Sequence, residues 1–176
     1  MEFNYKSNIY PYISTNMKFK FGILFCFLAV ANWSCLKAPD YPIEPVINFI
    51  SLSKEVIKQS QFNQDSTYIT FSFTDGDGDL GDLDSVNIYL TDQRTKINPT
   101  VYKIPILAQN AGAKGISGEI KLRVYSECCI YPNGETPCFP STTYPTDTLV
   151  YSLYIRDRAG HKSNIIYTPP IILLCQ

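Results

Sequence analysis

The sequence is poor in the residues and motifs on which most catalytic sites depend. Only one of its 176 residues is a histidine, His161, so a Ser/His/Asp or Cys/His site would have a single candidate base. That histidine lies in the turn-forming string A-G-H-K-S, where an exposed polar residue is the ordinary expectation. The motifs G-x-S-x-G and H-E-x-x-H and a phosphate-binding glycine loop are absent from the sequence. These absences predict that the chain is not an enzyme.

The apolar run near the N-terminus is too short to cross a bilayer. It extends from Phe21 to Ala31, about 11 residues, whereas a membrane-spanning helix needs roughly 20. Lys18 and Lys20 precede it, and a charged head before a short apolar stretch is typical of a secretory signal peptide. We therefore predict a signal peptide at residues 17–34, with Met17 as the start. Residues 1–16 are then a wrongly assigned start or a disordered extension.

A cysteine follows the predicted signal peptide directly. The string from Asn32 to Cys35, N-W-S-C, resembles the lipobox of bacterial lipoproteins in the looser form found in the Bacteroidota. The resemblance implies cleavage before Cys35, a lipid on its thiol and anchoring in the cell envelope, at the outer membrane. The alternative is an ordinary cleaved signal peptide that leaves Cys35 as a free thiol. Either cleavage removes Trp33, the only tryptophan, which excludes sugar stacking on Trp but not on Tyr.

The mature chain has the size of one domain and a modest negative charge. Residues 1–35 contain three of the 15 Lys and Arg residues and one of the 16 Asp and Glu residues, so their removal leaves a net charge of about −3. This charge argues against nucleic acid as a partner. About 141 residues remain, enough for a single core. Residues 35–45 contain three prolines and no periodicity, so we predict that they form a lipidated, extended tether.

Beyond the tether, apolar residues recur with a period of two, which predicts strands. Seven segments show the pattern: 46–52, 67–73, 85–90, 101–107, 118–125, 148–155 and 164–174. One turn of helix could form within residues 53–61. Seven strands joined by turns rich in Gly, Asp, Asn and Pro predict an all-β fold, a seven-stranded immunoglobulin-like β-sandwich over residues 46–176. A barrel or a jelly roll is the alternative architecture.

Two further strings carry a resemblance to a known class of protein. They are F-T-D-G-D-G-D-L-G-D at residues 73–82 and I-R-D-R-A-G-H-K-S-N at residues 155–164. Both look like parts of Bacteroidota lipoproteins with a single Ig-like or cadherin-like domain. The resemblance implies a non-catalytic binding or structural module on the cell envelope, anchored to a membrane by its lipid. Its partner, a protein or a glycan, is left open by the sequence.

An acidic, glycine-rich loop follows the second predicted strand. Ca²⁺ takes six to eight oxygen ligands, and alternating carboxylates on a backbone with glycines can supply them. In an Ig-like sandwich the loops after the second and the sixth strand lie at the same end, which brings Asp157 to this loop, with Glu44 of the tether as a further neighbour. The candidate ligands of a structural Ca²⁺ are Asp75, Asp77, Asp79, Asp82 and Asp157.

Two other interpretations of the acidic loop stay open from the sequence. Asp and Gly also suit an ordinary solvated turn, because they tolerate a positive φ and form local hydrogen bonds. A small metal-dependent envelope hydrolase that uses residues 75–84, for example with Mg²⁺, is the alternative function. A concave pocket beside the loop would favour that alternative.

Four cysteines, Cys128, Cys129, Cys138 and Cys175, remain in the predicted mature domain. An even number in an oxidising compartment predicts two disulfides, and the absence of a C-x-x-C pair argues against a metal site. The strand order brings all four to the end opposite the tether. Continuing the inward-facing set of residues 120, 122 and 124 by steps of two reaches Cys128, which favours Cys128 with Cys175 and Cys129 with Cys138.

The lipid anchor can be tested by one substitution. We expect Cys35→Ala to move the protein from the membrane fraction to the soluble fraction, because the lipid is lost while the folded domain is untouched. Fractionation followed by immunoblotting measures this. A Cys35→Ala variant that stays membrane-bound and is processed as before would contradict the lipobox interpretation.

Overall fold

The structure is a computed structural model that describes residues 40–107 and 115–176. The predicted signal peptide, Cys35 and residues 1–16 lie outside the described residues. Within the described ranges the fold is all-β, with ten strands in three sheets and no α-helix. No helix in this part of the chain could therefore cross a membrane. The all-β prediction is confirmed.

The first sheet contains β1 (Val46–Leu52), β3 (Ser66–Asp75) and β6 (Ile116–Tyr125), in the order β1-β3-β6. Both neighbouring pairs are antiparallel. Side chains of β3 alternate strictly between core and surface, so one face of the strand is buried and the other half-buried. Predicted segments 46–52, 67–73 and 118–125 are therefore confirmed as strands.

The second sheet has the order β5-β4-β8-β9. Its strands are β4 (Ile88–Asp92), β5 (Thr100–Tyr102), β8 (Tyr151–Ile155) and β9 (Ile166–Tyr167), and each neighbouring pair is antiparallel. β4 begins three residues later than the predicted segment 85–90, and β5 ends well before residue 107. After β5, the amide of Ile104 donates to the side chain of Asn87, the residue before β4, at 3.2 Å.

The third sheet has the order β2-β10-β7, formed by β2 (Val56–Lys58), β10 (Ile171–Leu174) and β7 (Thr146–Leu149). β2 pairs with β10 in parallel. The helical turn that the sequence allowed within residues 53–61 is therefore wrong. Its backbone instead bonds to the last strand, as in the 3.0 Å hydrogen bond from the amide of Gln59 to the carbonyl of Leu174.

Two interruptions explain most of the difference between the seven predicted strands and the ten observed. The predicted segment 148–155 is divided at Val150 into β7 and β8, and the segment 164–174 is divided into β9 and β10. Pro169 and Pro170 occupy the second break and offer no N–H for a ladder hydrogen bond. Across the break the amide of Thr168 still donates to the carbonyl of Tyr151 at 2.9 Å. β8 thus pairs with β9 in the second sheet, while β7 pairs with β10 in the third.

One hydrophobic core joins the three sheets, as expected for a β-sandwich. Each sheet contributes fully buried side chains, among them Ile47, Phe71, Leu90, Leu153, Ile171 and Leu173. Burial of such side chains contributes roughly 1.5–3 kcal/mol each, so the core is the main stabilising element.

All four cysteines meet at one end of the fold, as predicted, but their pairing differs from the prediction. The disulfides are Cys128–Cys138 and Cys129–Cys175. β6 ends at Tyr125, and past Ser126 the alternation shifts by one residue, so that Cys129 rather than Cys128 is buried. Cys129 thereby faces the buried Cys175, while the less buried Cys128 pairs with Cys138 in the loop.

The two disulfides should differ in their effect on stability. Cys129–Cys175 closes 46 residues and Cys128–Cys138 closes 10. Loop-closure entropy then gives about 4 kcal/mol for the longer loop and about 3 kcal/mol for the shorter one. We expect the paired Ser variant of Cys129 and Cys175 to unfold at lower denaturant than that of Cys128 and Cys138. Peptide mapping without reduction checks the pairing, and recovery of a Cys128–Cys175 peptide would refute it.

Candidate metal centre

The alternation of β3 places Asp75 on the core side. Its inward residues are Thr67, Ile69, Phe71 and Phe73, and Asp75 is the next in the series, with no exposed surface. One carboxylate oxygen, Oδ2, accepts a hydrogen bond from the amide of Leu80 at 2.9 Å. That contact closes the acidic loop into a turn whose end is anchored by the buried Leu80 side chain. A carboxylate is thus held where a strand would normally place an apolar residue.

The same alternation along β8 buries Asp157. Tyr151, Leu153 and Ile155 face the core, and Asp157 lies two residues beyond the last of them, 5 % exposed. Its Oδ1 accepts from the amide of His161 at 2.7 Å, and Gly160 turns the chain with a φ of +94°. The loop after β8 is therefore shaped around this carboxylate.

The loops after β3 and β8 meet, and four carboxylates come together. One oxygen from each residue lies within 4.8 Å of the others; the residues are Asp75, Asp77, Asp79 and Asp157, hereafter the acidic cluster. A direct hydrogen bond also joins the loops, from the amide of Ala159 to Asp79 Oδ2 at 3.0 Å. Asp157 thus lies beside the acidic loop, as the sequence predicts.

Asp82, the fifth predicted ligand, is not part of the acidic cluster. Gly81 has a φ of +98° and packs against the backbone of Pro105, which turns the chain away from the cluster. The amide of Asp82 donates to the carbonyl of Ile104 at 3.0 Å, and its Oδ1 accepts from the amide of Asp84 at 3.0 Å. The structure therefore does not bring Asp82 together with the other four predicted ligands, because its carboxylate caps a local turn.

The residues before β1 approach the acidic loop. A Cβ at Gly76 would collide with the carbonyl oxygens of Tyr41 and Pro42, so only glycine permits this close contact. Glu44 lies near enough to act electrostatically on His161, but it is not one of the four clustered carboxylates. The predicted tether thus reaches this end of the fold, while Glu44 stays outside the cluster.

His161, which the sequence analysis considers only as a candidate base, is a neighbour of the acidic cluster. Its Nδ1 lies 2.8 Å from Asp157 Oδ2, and a second group of close ligand atoms consists of Asp77, Asp157 and His161. The hydrogen bond with Asp157 raises the pKa of the imidazole. The available signal was the four-residue spacing within the turn D-R-A-G-H, which places both side chains on one side of it.

The cluster leaves buried negative charge uncompensated. Asp75 Oδ1 and Asp79 Oδ1 are both buried and have no hydrogen-bond partner. Burial raises the pKa of Asp75 to about 6, and repulsion from Asp77 and Asp79 adds to the effect. Burial and the nearby Asp157 raise the pKa of Asp79 as well. Arg158 opposes the effect on Asp79, but no described Lys or Arg forms an ion pair with either carboxylate, as normally accompanies burial of such a group.

The donor set fits a hard divalent cation. Ca²⁺ binds oxygen at 2.3–2.6 Å, so two oxygens on one ion lie no more than about 5 Å apart, and the four carboxylates meet that limit. The two orphaned oxygens would acquire a partner. An ion here would be held mainly by carboxylates from two loops, with His161 at the edge.

No family model, curated protein or solved structure matches the chain. The properties of the acidic cluster must therefore be inferred from its own geometry.

The raised pKa of Asp75 predicts an unusual pH dependence in the cation-free protein. Between about pH 4 and 6 the folded state holds a proton on Asp75 that the unfolded chain releases. The free energy of unfolding should therefore fall by about 3 kcal/mol as pH rises through this window. Urea unfolding in the presence of a chelator measures it.

The variant Asp75→Asn should flatten that pH dependence. His161, whose pKa is also raised, contributes in the same direction but only above its ordinary pKa of about 6.5, so its effect persists in the variant at higher pH and leaves the window below pH 6 to Asp75. If Asp75→Asn and the unsubstituted protein lose stability equally over this window, the buried carboxyl is not its source.

Proposed function

We propose that this chain is a lipid-anchored protein of the cell envelope whose β-sandwich is a non-catalytic binding or structural module stabilised by Ca²⁺ at the acidic cluster. The main observation in favour of the metal site is that four carboxylates come together and that two of them have a buried oxygen without a hydrogen-bond partner. Lipid anchoring at the outer membrane rests on the sequence before Cys35.

A structural role for the ion is favoured by what the acidic cluster connects. Asp75 and Asp157 end the inward series of strands in two different sheets, and Asp77 and Asp79 belong to the loop between β3 and β4. Both end residues are almost fully buried. An ion among them would fasten one end of the two sheets, as a cross-link does, rather than present a reactive face to a substrate.

Strand order supports the finer description of the fold as immunoglobulin-like. The orders β1-β3-β6 and β5-β4-β8-β9 correspond to the A-B-E and C′-C-F-G strands of such sandwiches. In this scheme β1 and β2 are two halves of strand A, and β2 pairs in parallel with β10. In the same way β7 and β8 are two halves of strand F, and β9 and β10 are two halves of strand G. Seven conventional positions thus accommodate ten strands.

The proposed anchor would bring the acidic cluster to the membrane side of the domain. Gly76 contacts Tyr41 and Pro42, and only five peptide bonds separate Cys35 from Asp40. An extended chain of that length spans about 17 Å. The ion would then stabilise the junction between tether and domain.

Ca²⁺ should stabilise the folded protein by mass action. A site saturated at a hundred times its Kd adds about 2.7 kcal/mol to the free energy of unfolding, which corresponds to a Tm increase of several degrees. A thermal melt with millimolar Ca²⁺, Mg²⁺ or chelator measures this effect. We expect Ca²⁺ to exceed Mg²⁺, because Mg²⁺ demands a near-ideal octahedron and dehydrates reluctantly.

A matched pair of variants tests the location of the site. Asp157→Asn should abolish the Ca²⁺-dependent increase, whereas Asp82→Asn, in the same loop but outside the acidic cluster, should preserve it. Absence of a Tm increase in the unsubstituted protein would reject the calcium proposal, and an equal loss in both variants would reject this location.

A further inference from the structure

A cleft opens between the sheets at the end opposite the acidic cluster. It consists of two adjoining cavities of about 310 and 260 Å³ that share five lining residues. The shared residues are Leu90, Thr100, Glu127, Cys128 and Tyr151. β4, β5 and β8 supply one wall, and the end of β6 supplies the other. These volumes suit a ligand of the size of an amino-acid side chain or a small metabolite.

Two buried hydroxyl groups at the cleft have no partner. They are Tyr151 Oη, from the first inward position of β8, and Ser126 Oγ, which continues the inward series of β6. Tyr151 is 2 % exposed and Ser126 is 4 % exposed. A buried polar group without a partner is costly, so a native fold normally retains one where a ligand or water completes its hydrogen bonds.

The charge around the cleft is negative and not neutralised. Arg94 is the one Lys or Arg among the lining residues described, and its guanidinium is already bound to Asp92 at 2.7 Å and Asp147 at 2.6 Å. It also donates to the carbonyl of Cys128 at 3.2 Å. Arg94 is thereby occupied and has little capacity to attract an anion.

Glu127 lines both cavities and has no counter-ion. No described Lys or Arg forms an ion pair with its carboxylate. Glu127 is an exposed residue overall, but partial desolvation of its carboxylate and the nearby Asp92 raise its pKa, against the opposing effect of Arg94. The carboxylate and the two hydroxyl groups provide three hydrogen-bond acceptors at the same cleft.

We propose that this cleft binds a small organic cation through a primary ammonium group. An ammonium has three N–H donors and no acceptor, which matches the acceptors of Glu127, Tyr151 and Ser126. Leu90 and the Tyr102 ring offer apolar surface for the carbon chain. The ammonium can belong to a free amine or to a lysine side chain, since both present the same group.

An NMR titration of the disulfide-intact protein tests the proposal. The probes are n-butylammonium, its neutral counterpart 1-butanol, the anion butyrate, and a tripeptide with a central lysine. We expect n-butylammonium to shift the amide signals of Leu90, Glu127 and Tyr151, and to bind about tenfold or more tightly than butanol. Binding of the tripeptide at similar affinity would identify a protein side chain as the source, and its exclusion would identify a free amine.

Variants at the cleft separate recognition from folding. Glu127→Gln should weaken amine binding about tenfold, while Glu135→Gln should leave it unchanged, because Glu135 is a half-buried glutamate of the neighbouring loop that does not line the cleft. Tyr151→Phe should weaken binding about threefold without lowering the stability of the free protein, because it removes a buried hydroxyl that has no partner.

The proposal would be overturned if n-butylammonium failed to bind, if butanol bound equally well, or if Glu127→Gln had no effect on affinity. The result is independent of the calcium proposal, because no residue of the acidic cluster lines the cleft. Asp157→Asn should therefore leave amine binding intact even where it abolishes the response to Ca²⁺.

Discussion

Side-chain alternation along β3 and β8 determines what lies at each end of the molecule. Both strands bury every second residue, and at one end the buried series reaches Asp75 and Asp157. At the other end the series of β8 begins with Tyr151, whose hydroxyl has no partner. Because the pleat fixes the period of two, none of these three polar side chains can turn outward unless its whole strand moves. The core therefore holds polar atoms in place at both of its ends.

The sequence predicts most of the first sheet and part of the acidic cluster. Apolar alternation is strongest in segments 46–52, 67–73 and 118–125, and these are strands. The end rule for sandwich loops brought Asp157 to Asp75, Asp77 and Asp79 although 78 or more residues separate them along the chain. It depends only on counting strands, so the strand breaks did not affect it. The rule could not predict that Asp82 lies outside the cluster, because that depends on the local backbone turn at Gly81.

The errors in the prediction arise where the strand pattern stops. The predicted disulfide pairing depends on side-chain alternation that continues past Tyr125, where no ladder of hydrogen bonds maintains it. The alternation shifts there by one residue, so the partners of Cys128 and Cys129 are exchanged. β2 was missed because three residues are too few to show a period, and its parallel pairing with β10 is determined by the last strand. The cleft depends on contacts between distant segments, which composition and spacing do not encode. The contact of His161 with Asp157 is local, and the four-residue spacing within one turn could have indicated it.

The two ends of the fold are fastened by different means. Two disulfides join the loop after β6 to itself and to the end of the chain near the cleft, and they hold that end together whatever its ligand. No disulfide among the described residues lies at the acidic cluster, where mutual repulsion of carboxylates opposes closure instead. A bound cation would turn that repulsion into a cross-link between two loops. The cross-link at the acidic end would then depend on the supply of the ion, while the cross-links beside the cleft are covalent and do not.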